Sequence, residues 1–404
     1  MTPPDALPGV GAVLEIDLAA IVANWRMLCL RHRTGPVAAV VKADAYGLGA
    51  PEVAPALHAA GCRHFFVALL EEALVIRPLV PGALVGVLNG LMPGSEADFV
   101  AHDLTPVLGS LAEVDHWAAA ARQVTGRQAI GRKVTGRQVT GRQATGTAHP
   151  TGRKLPGILH IDTGMARLGL DRQELATLQQ DPARLGAIDL QYIMTHLVAS
   201  ELASDPLNVQ QHLRFRAACV GLPPAPRSLA NSSGIFLGDG WASDLARPGA
   251  ALYGINPTPG AENPMRQTVR LTARVLQVRD VAVGESVGYN ATWRASRPSR
   301  VATVALGYAD GWHRSLSGRG MAHFDGRPVP LVGRVSMDLT TFDVTDHPTV
   351  GPGAWLEVIG PACTPDDVAV SAGTNGYEVL TSLGRRFHRV YGAPVPGTQV
   401  HGSA

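Results

Sequence analysis

Residues 39–49 read AVVKADAYGLG: a short apolar run stops at Lys42, and small residues, Tyr46 and two glycines follow. Lysine is rarely buried unless it is paired or bonded. Lys42 therefore has two readings. It marks a strand end at the surface, or it is a desolvated amine kept for chemistry.

The flanking sequence predicts what kind of strand this is. In LAAIVANWRML, Leu18, Ile21, Val22, Trp25 and Leu28 share one helical face. PVAAVVKA follows, then the helical APEVAPALHAAG ending on Gly61 as a C-cap, then RHFFVAL. The same alternation continues through LEEALVIRPL, ALVGVLNG, TPVLG and SLAEVDHWAAAAR. It resumes with GILHIDTG, RQELATLQQ, LQYIMTHL, the helical pattern over 205–220, RSLANS and ARPGAALYGI. Repeated strand–helix units imply a parallel sheet with helical crossovers. About eight of them predict an α/β chain with a (β/α)8, TIM-like barrel, whose chemistry lies at the C-terminal ends of the strands. We place that barrel over residues 11–255, with Lys42, Arg167, His196, Ser232 and Arg247 at or just after strand ends. Past the NPTPGAENP linker, strand-like runs separated by Gly and Pro turns predict a mostly β second domain over 256–396. Only NGYEVLTSLGRR reads as helix there.

Composition narrows the function classes. The 404 residues carry a formal net charge of +2, so overall charge gives no case for a nucleic-acid or membrane partner. The four cysteines lack C-x-x-C spacing, which fits reduced structural thiols and neither a disulfide scaffold nor a metal site. No basic leader or long apolar run is found, and a cytoplasmic location is the expectation. One segment stands apart: a basic, acid-free repeat close to V-T-G-R-Q fills residues 124–146. It has no aromatics for base stacking, too much glycine for a helix and no apolar face. It reads as a low-complexity loop insertion over 124–152.

Seven motifs in order, VVKADAYGLG, HIDTGMARLG, ANSSGIF, ARPGAALYGINP, GYNATW, LGYADGW and GRVSMD, closely resemble alanine racemase. The resemblance spans about residues 12–393 apart from the repeat. It implies a barrel followed by a β domain, a pyridoxal 5'-phosphate (PLP) cofactor, a homodimer with shared active sites, and interconversion of L- and D-alanine that supplies peptidoglycan synthesis. Lys42 is then the lysine that joins the PLP aldehyde and, once freed by substrate, acts as a base. Racemisation needs a second acid/base on the opposite face, a role the resemblance assigns to Tyr289 from the partner's β domain. It further implies that His196 and Arg247 support that tyrosine and that Arg247 faces the PLP ring nitrogen. Tyr46, Ser232 and the amides of Gly249 and Ala250 take the phosphate, and Tyr377 packs beside the cofactor. Arg167 and the Met337 amide take the substrate carboxylate, while Tyr308 narrows the entrance.

Two positions depart from the family pattern. Leu48 stands where histidine is usual, and His160 stands where many members have a lysine that is carbamylated and orients the arginine matched by Arg167. Arg167 must then be held by something else, an anion such as chloride or a neighbouring side chain. Alternatives are a broader small-amino-acid (serine) racemase or a PLP-dependent decarboxylase of the same barrel class, although a C-E-S-G-D-like motif is absent. A non-catalytic PLP carrier would lack the second domain.

Overall fold

A computed structural model describes residues 9–134 and 154–392. Seven parallel strands run in sequence order: β2 (Ala39–Val40), β3 (His64–Val67), β4 (Leu84–Val87), β5 (Thr105–Leu108), β6 (Leu155–His160), β7 (Ile188–Met194) and β8 (Arg227–Ser228). The eighth position is not a regular strand. Residues 245–246 form bridges to Ser228 on one side and Val37 on the other. Ala38 N–H donates to the Ala246 carbonyl (2.8 Å) and Val40 N–H to that of Pro248 (3.1 Å), so the ring closes. Ala39, Val41, Phe65, Phe66, Val67 and Val85 are fully buried, as expected of parallel strands covered on both faces. Gly86 makes room for this packing, because a Cβ there would lie 2.6 Å from the Phe66 ring.

The first strand, β1 (Ala12–Ile16), is not part of the barrel. It pairs in parallel with β17 (His388–Tyr391) and antiparallel with β9 (Val269–Val281). Leu14 thereby sits opposite Leu271 on one side and Arg389 on the other. This second, mixed sheet also holds β12 (Ser299–Val304), β13 (Met321–Phe324), β14 (Arg327–Pro330), β15 (Thr340–Asp343) and β16 (Trp355–Ile359), while β10 (Ser286–Val287) and β11 (Trp293–Arg294) form a separate ribbon. In space the chain forms two compact units. One compact unit comprises Leu28–Lys42 and Gly61–Pro248; the other comprises the described residues up to Met27, Ala43–Ala60, and those from Gly249 onward.

Two local expectations need correction. The helix Leu111–Val134 runs on into the repeat, where its glycines predict none. A helix already nucleated by SLAEVDHWAAAAR extends at far lower cost than a new one starts. The rest of the insertion lies outside the described residues. In the second domain the helix Pro365–Ala372 joins the expected one at Gly376–Ser382. Its signal was present: Thr364 accepts from Asp367 N–H, with Pro365 at the first helical position, a capping box followed by a permitted proline.

Leu14 is fully buried at the join of three strands. Leu14→Ala should cost about 2–5 kcal/mol, seen as a lower urea midpoint for the β-rich unit. An unchanged midpoint would show that the N-terminal strand is dispensable there.

Candidate active site

In the barrel unit, Val41 N–H donates to the Phe66 carbonyl (2.8 Å), and Val41 is completely buried. The next residue, Lys42, emerges at the C-terminal end of the strand with its side chain half buried. Burial, and then the positive charge of Arg167, lower the Lys42 pKa, while Glu72 partly opposes them. A surface strand end would leave the amine hydrated; Lys42 is instead an amine made easier to deprotonate.

Arg247 follows the segment that closes the barrel ring and is buried. Its guanidinium donates to the Thr195 carbonyl (2.6 Å) and to Ser228 Oγ, and burial lowers its pKa to about 10, still well above neutrality. His196 lies two residues past β7. Burial, then the charges of Arg247 and Arg167, lower it to about 3, with His160 and Lys42 adding to the effect. His160, the last residue of β6, falls to about 4 through burial and Arg247, with Asp162 opposing. These couplings put Lys42, His160, Arg167, His196 and Arg247 in one field, with both histidines neutral at ordinary pH.

Arg167 is not at a strand end but in the loop after β6. Asp162 shapes that loop by accepting from Gly164, Met165 and Ala166 N–H at 2.8–2.9 Å. The bridge between Ile161 and Leu170 closes it, and at Gly169 (φ 106°) a Cβ would meet Asp162 N at 2.6 Å. Ser232 follows β8 and precedes a short 3-10 turn, Ser233–Phe236. Asn231 caps that turn: its Oδ1 accepts from Gly234 N–H (2.9 Å).

A second group lies in the other unit. Ala43, Asp44, Ala45 and Tyr46 all have φ between 51° and 56°, a left-handed turn made of four residues that are not glycine. Such a conformation costs about 1–2 kcal/mol per L-residue and needs outside support. Gly47 N–H donates to Ala43 O (2.7 Å), Gly49 N–H to Asp44 O (2.8 Å), and Ala50 N–H to Asp44 Oδ1 (2.8 Å). The turn ends with Tyr46 stacked on Tyr253, ring centroids 4.8 Å apart. Burial, with Tyr377 adding to it, raises the Tyr46 pKa, so its hydroxyl is a neutral donor. A Cβ at Gly249 would lie 2.2 Å from that hydroxyl, so only glycine allows Tyr46 so close to the backbone leading into the 3-10 turn Ala250–Tyr253. Tyr377 is the first residue after Gly376 in its helix, and Asn375 caps that helix by accepting from Glu378 N–H. Tyr308 and Met337 lie in loops joined by Tyr308 N–H to Ser336 O (3.0 Å) and Ala309 N–H to Met337 O (2.9 Å). Tyr289 sits between β10 and β11 and is largely exposed.

The family described as "Alanine racemase, N-terminal domain" matches residues 16–257, and "Alanine racemase, C-terminal domain" matches residues 268–391. The chain belongs to the alanine racemase family. It is 53% identical to the alanine racemase of Acidiphilium cryptum, covering 93% of this chain and 98% of that relative. The alanine racemase of Rhodospirillum rubrum is 46% identical, with 96% and 97% covered. Among solved structures, alanine racemase from Bartonella henselae, with covalently bound pyridoxal phosphate, superposes with a TM-score of 0.85 at 39% identity, covering 94% of this chain and 99% of that one. The biosynthetic alanine racemase of Pseudomonas aeruginosa gives 0.80 at 33% identity, with 95% and 99% covered.

Sequence reasoning missed the residues that hold this group in place. Gln211 is fully buried: its amide donates to Thr163 Oγ1 and the His196 carbonyl (3.0 Å each), and its Oε1 accepts from Val198 N–H (2.8 Å). It thus fixes the backbone that follows His196 and ties it to Thr163. The signal was an amide on the buried face of the helix Pro206–Ala218, in step with Asn208, Phe215 and Ala218. Among the described residues no group of three or more His, Cys, Asp or Glu could hold a metal ion, and no helix is long and apolar enough to cross a membrane.

The depressed histidines carry a pH signature. The unfolded chain takes up a proton at His160 below pH about 6.5, whereas the folded chain resists until about 4, so stability falls as pH drops through that window. Each such group contributes up to about 1.4 kcal/mol per pH unit. His160→Gln should flatten the urea midpoint against pH between 6.5 and 4; an unchanged slope would contradict burial of a neutral His160.

Proposed function

We propose that this chain interconverts L- and D-alanine with PLP as cofactor. The observation that carries this is the half-buried Lys42 of lowered pKa, set at the C-terminal end of a barrel strand in the field of Arg167, His196 and Arg247. The donor set fits the cofactor. A nucleophilic amine is available for the aldehyde, and Tyr46, Ser232 and the backbone of Gly249 and Ala250 offer neutral donors for phosphate. The glycine at 249 lets the Tyr46 hydroxyl lie against the backbone that leads to Ala250. His196, Arg247 and Tyr377 complete the assignment. When bound, PLP withdraws electrons from the substrate Cα–H bond and makes that proton removable.

Lys42 takes or returns the proton on one face, its lowered pKa favouring the free amine. Arg247, held by Thr195 and Ser228, stays protonated; it is a donor that cannot supply a proton to the cofactor's ring nitrogen. Arg167 and the Met337 amide bind the substrate carboxylate, and Tyr308 restricts the side chain to a small one. Tyr289 serves the opposite face. It is 68% exposed, and Met337 is 55% exposed, which supports a second copy of this chain covering them in a homodimer with shared sites. A cytoplasmic enzyme supplying D-alanine for peptidoglycan is the reading that agrees with these assignments.

The test is to incubate purified protein with PLP and either alanine enantiomer in deuterated water, following Cα exchange and enantiomer ratio. A one-to-one mixture approached from both sides is expected. Release of carbon dioxide would indicate the decarboxylase, and comparable turnover of serine the broader racemase. Lys42→Ala should abolish the cofactor's protein-bound absorbance together with turnover. Tyr289→Phe should slow proton transfer for one enantiomer more than the other; equal exchange from both would contradict a two-base scheme.

A further inference from the structure

The segment Leu383–Arg389, LGRRFHR, reaches three site-bearing stretches of its own unit: the turn of Tyr46 and the loops of Tyr308 and Met337. Arg386 reaches two carboxylates at once: Nε lies 3.0 Å from Asp310 Oδ1, and Nη1 donates to Asp338 Oδ1 at 2.8 Å. Asp310 is buried and follows Tyr308 by two residues; its other oxygen accepts from Gly307 N–H (2.8 Å). Asp338 directly follows Met337. Arg386 therefore clamps the two loops that carry Tyr308 and Met337, and Gly384 N–H adds a bond to Asp310 O (2.9 Å). Arg389 faces elsewhere. Its Nη1 donates to the Gly47 carbonyl (2.8 Å), next to Tyr46, while Nη2 reaches the carbonyls of Gly384 (3.2 Å) and Leu383 (3.4 Å). Close backbone packing supports both clamps: a Cβ at Gly47 would meet Leu380 O at 2.4 Å, and one at Gly311 would meet Ser382 O at 1.8 Å.

An ion pair as exposed as that of Arg386 adds little to stability. What a planar guanidinium does supply is a fixed fork between two acceptors, which a lysine cannot reproduce. We propose that Leu383–Arg389 is a brace in which Arg386 is a positioning residue for the substrate loops of Tyr308 and Met337, and Arg389 one for the cofactor turn of Tyr46. This rests on the assignments of Tyr46, Tyr308 and Met337 made under Proposed function. The brace divides one function between two arginines, so the two should fail differently.

The experiment measures three quantities on wild type, Arg386→Gln and Arg389→Gln: PLP dissociation constant by absorbance titration of the apo-protein, alanine KM and kcat at saturating PLP, and thermal midpoint. Arg386→Gln should raise KM about tenfold and leave PLP affinity within about twofold, since small misplacements of binding groups are costly. Arg389→Gln should do the reverse, and Arg386→Lys should restore less than half of the loss. If Arg386→Gln does not fold, Asp338→Asn breaks the same clamp from its exposed side; if Arg389→Gln does not, Arg389→Lys loosens the other. Both constants moving together in both variants, or neither moving, would overturn the division of labour. Wild-type protein that neither binds PLP nor turns over alanine would overturn the functional reading itself, and the brace with it.

Discussion

The setting of Tyr46 hangs on a change of hand in the backbone. A barrel strand delivers Lys42, and the chain then makes a left-handed turn through Ala43–Tyr46, where L-residues resist going. Of its residues only Asp44 has a side chain that bonds locally in this conformation, so the alanines and Tyr46 carry the full cost. The turn is held by its own amides, by Asp44 and by the glycines at 47 and 49, which tolerate positive φ and a close approach, of the Leu380 backbone at 47 and of the Tyr391 and Glu52 side chains at 49. Without outside support the turn would relax, and Tyr46 would lose its setting.

Charge is the second organising constraint. The barrel group holds Lys42, Arg167 and Arg247, while Glu72 and Asp162 only partly oppose the effect of those cations on Lys42 and His160. Asp162 is already engaged with three backbone amides. Burial and the arginines keep His160 and His196 uncharged, which limits the excess of positive charge. A group with this balance favours anionic ligands, and a substrate carboxylate together with a phosphate meets that requirement. His160 cannot carry a carbamate as a lysine would, and Arg167 stands on a loop shaped by Asp162 and Gly169 instead.

Much of this was legible in the residues. Lys42 and His196 fall just after their strands as the sequence indicates, because apolar runs ending in polar residues mark where a parallel barrel opens. The seven motifs named the family across both domains. Other features were hidden for definite reasons. The strand Ala12–Ile16 looks like any strand preceding a helix, and only its pairing to β9 and β17, more than 250 residues away, shows which sheet owns it. The helix Pro365–Ala372 and the amide of Gln211 did leave local signals that the reading passed over. The helix into the repeat left none, since glycine content opposed what continuation from an existing helix allowed.

The sequence by itself determined the chemistry available: which amine, phenols, guanidiniums and small residues the chain owns, and their order along it, because these are covalent properties. Tertiary structure decided the rest. It lowered the pKa of Lys42 and the two histidines, since desolvation depends on neighbours far away in sequence. It closed the barrel with an irregular segment that carries Arg247, and gave Arg386 and Arg389 separate partners although they stand three residues apart. Those outcomes are set by distance in space, which no local pattern of residues encodes.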